Sequence, residues 1–297
     1  MSTLAIPHER IVAPPVSFWV DARKRFLRNK LAVFALVLML SLILVAVIGP
    51  LVLKGDYKSA RSGFELRRIG DPQAVLGTDD LGRDMLRRVV RGLGLSLMLG
   101  VAVSVTVTVI GMTLGGVAGY FGGWVDALVG RMIDTVYAVP YVIIAFSILA
   151  ILGKSIFALV IALTAVGWLQ TARLFRAAVI QVKDLDYIEA ARATGASQRR
   201  VLLSHILPNA LPPILASIAF SISSAILAET IYSFLGIGLQ EPTPAIGVMI
   251  AGARSSYTVY PHLLLVPASV LILLTISIVL IGDGLRDALD PKLRGAN

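Results

Sequence analysis

Long uncharged runs separated by charged or Gly/Pro-rich stretches dominate this chain. The first run, Leu31 to Leu53, carries no charge. At about 1.5 Å per residue it reaches roughly 35 Å as a helix, enough to cross a hydrocarbon layer of about 30 Å. It is too long for the apolar part of a secretion signal, and Lys54-Gly55-Asp56 offers no small-residue cleavage site, so it reads as an uncleaved anchor. A second uncharged run spans Gly92 to Val125. Spans three and four are expected near Val136 to Leu152 and Ile156 to Ala172, divided by Gly153-Lys154-Ser155. Span five is expected from about Ala210 to Leu235 and span six from Leu263 to Gly282. The pattern predicts an all-α integral membrane protein with six transmembrane helices. It divides into a polar tail 1–30, the first helix 31–53, a loop 54–92, a five-helix core 93–283 and a tail 284–297.

Composition agrees. Of the 297 residues, 57% are hydrophobic, above the roughly 45–50% of a soluble domain. Mean hydropathy is +0.83. Cysteine is absent, which removes disulfides, thiolate metal sites and cysteine nucleophiles. His8, His205 and His262 are too scattered for a metal cluster. The net charge of +9 flanks apolar runs, so it reads as membrane orientation rather than nucleic-acid binding. Basic residues weight the segments inside if both termini are cytoplasmic, though weakly, because loop 54–92 is itself basic.

Several local patterns invite chemistry. In GTDDLGRD, Gly77 to Asp84, the aspartates lack the alternating ligand spacing of a calcium loop. They read instead as a helix start, with Thr78 as cap and Asp79 and Asp80 in the first turn. Gly153-Lys154-Ser155 lacks a phosphate loop, since Ile148 stands where its first glycine belongs. Gly111, Gly115, Gly119 and Gly123 recur every fourth residue, a stripe for close helix packing within one bundle. Arg131 and Asp134 are spaced to pair on a helix. Glu229, near the outer end of span five, reads either as part of a substrate path or as an interfacial pair. Residues 236–262 read as an outer loop or a partial re-entrant segment. Asp283, Asp287 and Asp290 follow one side of a solvated C-terminal helix.

The most distinctive polar insert is DLDYIEAARATGASQRRVLLSHILP, Asp184 to Pro208. Asp186 and Glu189 are spaced as in a capping box, and Gly195 suits the left-handed residue that ends a helix. Tyr187, Ala190, Ala191 and Thr194 share one face, kept small by its two alanines. Ser197 is placed to cap a second helix carrying Arg199 and Arg200, and Pro208 to mark the next boundary. Pattern alone leaves a plain solvated loop helix open.

Glu189-Ala190-Ala191, Gly195 and Leu207-Pro208 resemble the EAA loop of binding-protein-dependent ABC importer permeases. His205 stands where the general pattern has an aliphatic residue, and HILPNALPPI, 205–214, resembles the peptide/nickel importer branch. LGTDDLGRD and the tail GDGLRDALDPKLRG resemble further segments of that branch, although Val279 stands where members often carry Asn. The resemblance implies a type I importer permease fold whose EAA helix is a cytoplasmic coupling helix. The ATPase-coupling residues would be Tyr187, Glu189, Ala190, Ala191, Thr194, Gly195, Arg199, Leu207 and Pro208. It also implies a second, usually different, permease subunit, two ATP-binding subunits that hold ATP and Mg, and an extracytoplasmic solute-binding protein. The chain itself would carry no catalytic group, cofactor or metal, and would sit in a bacterial or archaeal plasma membrane. An ion-coupled secondary transporter is the alternative, but the central thirds of the spans lack the ionisable residues it needs. An intramembrane hydrolase would need a nucleophile with a nearby base, and the histidines do not suit one. The solute stays open among peptides, nickel complexes, glutathione-like and sugar-like compounds.

Overall fold

The computed structural model describes residues 18–53 and 55–290. The start of the predicted tail 1–30 and the end of 284–297 therefore lie outside the described residues. Five helices are long and apolar enough to cross a membrane, and a bent pair makes a sixth. Among the described residues there is no β-strand, only isolated bridges in the loop before the second span.

A short helix, α1 (Phe18–Arg28), precedes the first span, α2 (Lys30–Val52). Asn29 separates them, and its side chain accepts from Ala32 N at 3.1 Å to cap α2. The next helix, α3, runs Met85–Phe121 and so begins well before the expected Gly92. Its cap is Asp84, which accepts from Leu86 N at 2.9 Å and Arg87 N at 3.2 Å. Thr78 caps nothing: it accepts from Arg67 N at 2.9 Å and donates to Phe64 O, pinning the loop to itself.

Charge inside α3 explains the misplaced boundary. Arg88 is 2% exposed and Arg83 5% exposed, yet both are paired. Asp79 Oδ2 accepts from Arg83 Nε at 2.7 Å and Arg88 Nη1 at 2.6 Å. Glu241, in the loop after the fifth span, accepts from Arg83 Nη1 and Arg88 Nη2, each at 2.6 Å. Burial opposes the Arg83 charge, but the Glu241 hydrogen bond and the Asp79 and Glu241 carboxylates outweigh it and raise its pKa. Two acids thus let two arginines enter a buried position that an uncharged-run criterion excludes. This network ties loop 55–84, the start of α3 and the Glu241 loop together at one end of the bundle.

The predicted third span is a broken one. Helix α4 (Gly123–Tyr137) meets α5 (Tyr141–Leu152) at an 83° bend. Pro140 disfavours helical backbone at Val139, so the chain turns there. Helix α6 (Ile156–Lys183) is capped by Ser155, whose Oγ accepts from Ala158 N at 3.1 Å, and extends beyond the expected end at Ala172. Arg173, Arg176 and Lys183 lie on that extension. The Arg131–Asp134 pair does not form. Asp134 instead accepts from Arg173 Nη2 at 2.8 Å, and Asp126 pairs with Arg176, joining α4 to α6.

Helices α3 and α6 pack closely through the glycine stripe. A Cβ at Gly115 would lie 2.3 Å from Ala172 O, and one at Gly119 2.8 Å from Arg176 O. Gly123 is not part of this contact. The stripe serves packing within one bundle. Lys154 donates to Gly236 O at 2.7 Å across the far end, so Gly153-Lys154-Ser155 is a capped turn without a phosphate cradle.

The chain continues through α7 (Asp186–Ala193), a compound helix over 198–210, and α10 (Pro212–Phe234). Within 198–210, α8 (Gln198–Arg200) and α9 (Leu207–Ala210) flank a π-helical segment, Val201–Ile206. Helix α11 (Ile246–Gly252), too short to span, lies buried between loop segments. The last helix, α12, runs His262–Leu289, past the expected Gly282, and keeps Asp283 and Asp287 exposed. Glu229 is 1% exposed, so it is neither interfacial nor ion-paired among the described residues. Its Oε1 accepts from Ser233 Oγ at 2.9 Å and lies close to Gly247 of α11.

Candidate functional site

Helix α7 lies where α6 ends, and the sequence explains its shape. Leu185 occupies the cap position without a side-chain bond, so the Asp186–Glu189 capping box is not formed. Both acids fall in the first turn, where negative charge suits the positive end of the helix. The other end closes as expected. Gly195 has φ +86°, Ala196 N donates to Ala191 O at 3.1 Å, and Gly195 N donates to Arg192 O at 3.0 Å. These two bonds form a Schellman cap. Thr194 Oγ1 is turned back onto Ala190 O and Ala191 O, at 3.1 and 3.0 Å. Ser197 accepts from Arg200 N at 3.4 Å and caps α8.

One residue seats α7. Ile188 is fully buried. It enters an apolar cluster with Phe175 and Val179 of α6, Val201 and Ile206 of the π segment, and Ile214 of α10. The remaining α7 side chains face away from this cluster. Tyr187 is 44% exposed, and Glu189, Ala190, Thr194, Gly195 and Arg199 are exposed as well. Ala191 is half-buried. Leu207 is half-buried against the Ile188 cluster, whereas Pro208 is exposed.

The nine predicted residues therefore do not form one patch. Tyr187, Glu189, Ala190, Ala191, Thr194 and Gly195 present a surface on or just after α7, with Arg199 beyond the turn. Leu207 belongs to the support beneath. Nor does Pro208 end the helical path. The chain passes it in the π segment and α9, where Leu207 N bonds Leu202 O, and the missing proline N–H is accommodated.

Further bonds brace the seat. Lys183 Nζ donates to Tyr120 O at 2.8 Å, and Tyr120 OH donates to Gln198 O at 3.3 Å. Asp126–Arg176 adds α4 to the same end. Ile188 escapes the sequence reading, although its isolation among polar neighbours is a usable signal. The Asp126–Arg176 pair leaves none, because the partners are distant in sequence. Chemically, the arrangement offers a small-residue surface rigidly connected to α6 and α10. Among the described residues, no cluster of three His, Asp or Glu side chains is placed to hold a metal.

Comparison with known proteins agrees with this geometry. The family described as binding-protein-dependent transport system inner membrane component matches residues 111–295. The N-terminal TM domain of oligopeptide transport permease C matches residues 17–66. The dipeptide transport system permease protein DppC of Alkalihalophilus pseudofirmus is 38% identical, over 94% of this chain and 91% of that protein. The oligopeptide transport system permease protein OppC of Bacillus subtilis is 36% identical over 96% and 93%. The glutathione transport system permease protein GsiD of Pectobacterium atrosepticum is 35% identical over 99% and 97%. Among solved structures, an inward-facing form of the MetNI methionine ABC transporter covers 69% of this chain and 98% of its own. Its TM-score is 0.59 at 19% identity, a likeness of fold. The family match over the bundle and the full-length relatives together place this chain in the binding-protein-dependent inner membrane components, the permeases of ABC importers.

Proposed function

We propose that α7 is the element through which this permease receives force from an ATP-hydrolysing partner. The observation that carries the reading is the seating of Ile188. One buried side chain fixes a largely exposed helix to α6 and α10 at once. A push on α7 then reaches two spans without passing through a flexible linker. Ala190 and Ala191 let a partner surface approach closely, Tyr187 and Thr194 flank them, and Glu189 offers a carboxylate at the rim. Gly195 holds the turn, Arg199 presents a charge beyond it, and Leu207 and Pro208 carry the connection towards α10. Closure of the partner would swing the spans as rigid bodies between two accesses.

The supporting assembly is this chain with a second permease, two ATP-binding subunits holding ATP and Mg, and an extracytoplasmic solute-binding protein. The α7 end and both termini would face the cytoplasm of a bacterial or archaeal cell. The named relatives favour a peptide or a peptide-like solute as cargo. Their family membership argues against the ion-coupled alternative.

The test is Ala191→Trp, which places a large ring on the half-buried edge of the surface. Uptake should fall at least about tenfold, the effect of roughly 1.4 kcal/mol, while insertion is unchanged. Full uptake by this variant overturns the assignment of the surface.

A further inference from the structure

We propose that the open face of α1 is a docking surface for anionic phospholipid headgroups. Only Asn29 lies between α1 and the membrane-crossing α2, so α1 is held at the edge of the bilayer. One side of α1 is committed to the protein. Ala22 is buried, and Arg25 Nη1 donates to Asp290 O at 3.3 Å. Phe26 packs over Gly284, where a Cβ would lie 3.2 Å from Phe26 Cε2 and 2.4 Å from Ala32 Cβ. These contacts lock α1 against the ends of α2 and α12, and fix which way its other side points.

That other side has a specific chemistry. Trp19, Val20 and Leu27 are 58%, 47% and 53% exposed. Arg23, Lys24 and Arg28 are exposed on the same arc. Asp21, the acid of α1, is engaged by Arg25 at 2.8 Å. None of Arg23, Lys24 and Arg28 has an acidic partner among the described residues. A lipid-facing helix would lack the cations, and a helix in open water would lack the exposed Trp and Leu. Apolar groups interleaved with such cations match the acyl–headgroup boundary, where the rings and aliphatic chains enter and the cations meet phosphates. Long basic side chains reach outward while their stems cover apolar surface. Charge selects anionic headgroups over zwitterionic ones.

The test uses the purified transporter in phosphatidylcholine nanodiscs. These are doped at equal mole fraction with brominated phosphatidylglycerol or brominated phosphatidylcholine. The fluorescence quenching assigned to Trp19 is the part lost in Trp19→Phe. The proposal expects this part to be about twofold or more larger with the anionic quencher. In R23Q/K24Q/R28Q the two quenchers should become equivalent. Equal quenching by both lipids in the unaltered chain would mean apolar contact without headgroup selection and would overturn the proposal. Loss of Trp19 quenching by either lipid would show a protein partner on that face and would overturn it too. The comparison of the two lipids needs no substitution at the basic residues, so misfolding of the triple variant cannot mask the answer. Neither does it depend on the role assigned to α7.

Discussion

Gly195 shows how one residue can be necessary without touching anything. A Cβ added there meets open space, yet φ is +86°. The cost of replacement is conformational, about 1–2 kcal/mol for an ordinary residue in the left-handed region and more for a β-branched one. Gly195→Val should therefore leave the bundle intact but unwind the Schellman turn. Uptake should drop several-fold while the chain's detergent melting temperature stays unchanged, and transport at the normal rate would show that the turn is dispensable. The glycine is readable from sequence because a glycine just past a helical stretch commonly closes that helix in the left-handed conformation. The capping box misleads for the opposite reason. Asp186 and Glu189 have the right spacing, but the backbone places Leu185 at the cap, and spacing does not report backbone angles.

At the scale of elements, seating is the main issue. Ile188→Ala removes most of the buried plug, a loss of about 2–5 kcal/mol at a well-packed site. Because α7 is short and has no other fully buried side chain, that loss should appear as local opening. Hydrogen exchange of the α7 amides should quicken markedly, while those of α3 and α6 hold. Unchanged protection across α7 would mean that Ile188 does not seat it. The opposite end of the bundle depends on charge instead. Asp79→Asn leaves Arg83 and Arg88 buried with a reduced counter-charge, a change that costs about 3–5 kcal/mol when a buried partner is removed. Proteolysis within loop 55–84 should accelerate, and an unaltered cleavage rate would argue that Glu241 alone suffices. Lengths of apolar runs foretell the spans, including the uncharged core of α3. They fail where arginines are neutralised by residues far along the chain, as Arg88 is by Glu241. They also fail where Pro140 splits an apolar run into two helices at a sharp bend.

For the whole molecule the decisive issue is sidedness. The α7 surface, the ends of α3 and α6, and the α1–α12 junction gather at one end, with the Asp79 network at the other. The chain has no cysteine, so Ala190→Cys supplies a unique thiol. A membrane-impermeant maleimide should label it in inside-out vesicles and leave it untouched in intact cells. Labelling from outside would invert the molecule and remove α7 from the reach of any cytoplasmic ATPase. The apolar pattern makes the membrane class legible, but not the connection between α7 and the spans, which arises from side chains that meet only after folding.

The π segment beneath the α7 surface sets an angular phase. Each helical residue turns the chain by about 100°, and Val201–Ile206 closes its bonds one residue later than an α-helix does. Everything downstream inherits that offset, including which edge of α10 carries Ile214 and Ile226 inward. Evolution can exchange side chains along this stretch more freely than it can shorten it. Deleting a single residue would rotate the fifth crossing like a key turned in the wrong slot, presenting its buried ridge to lipid.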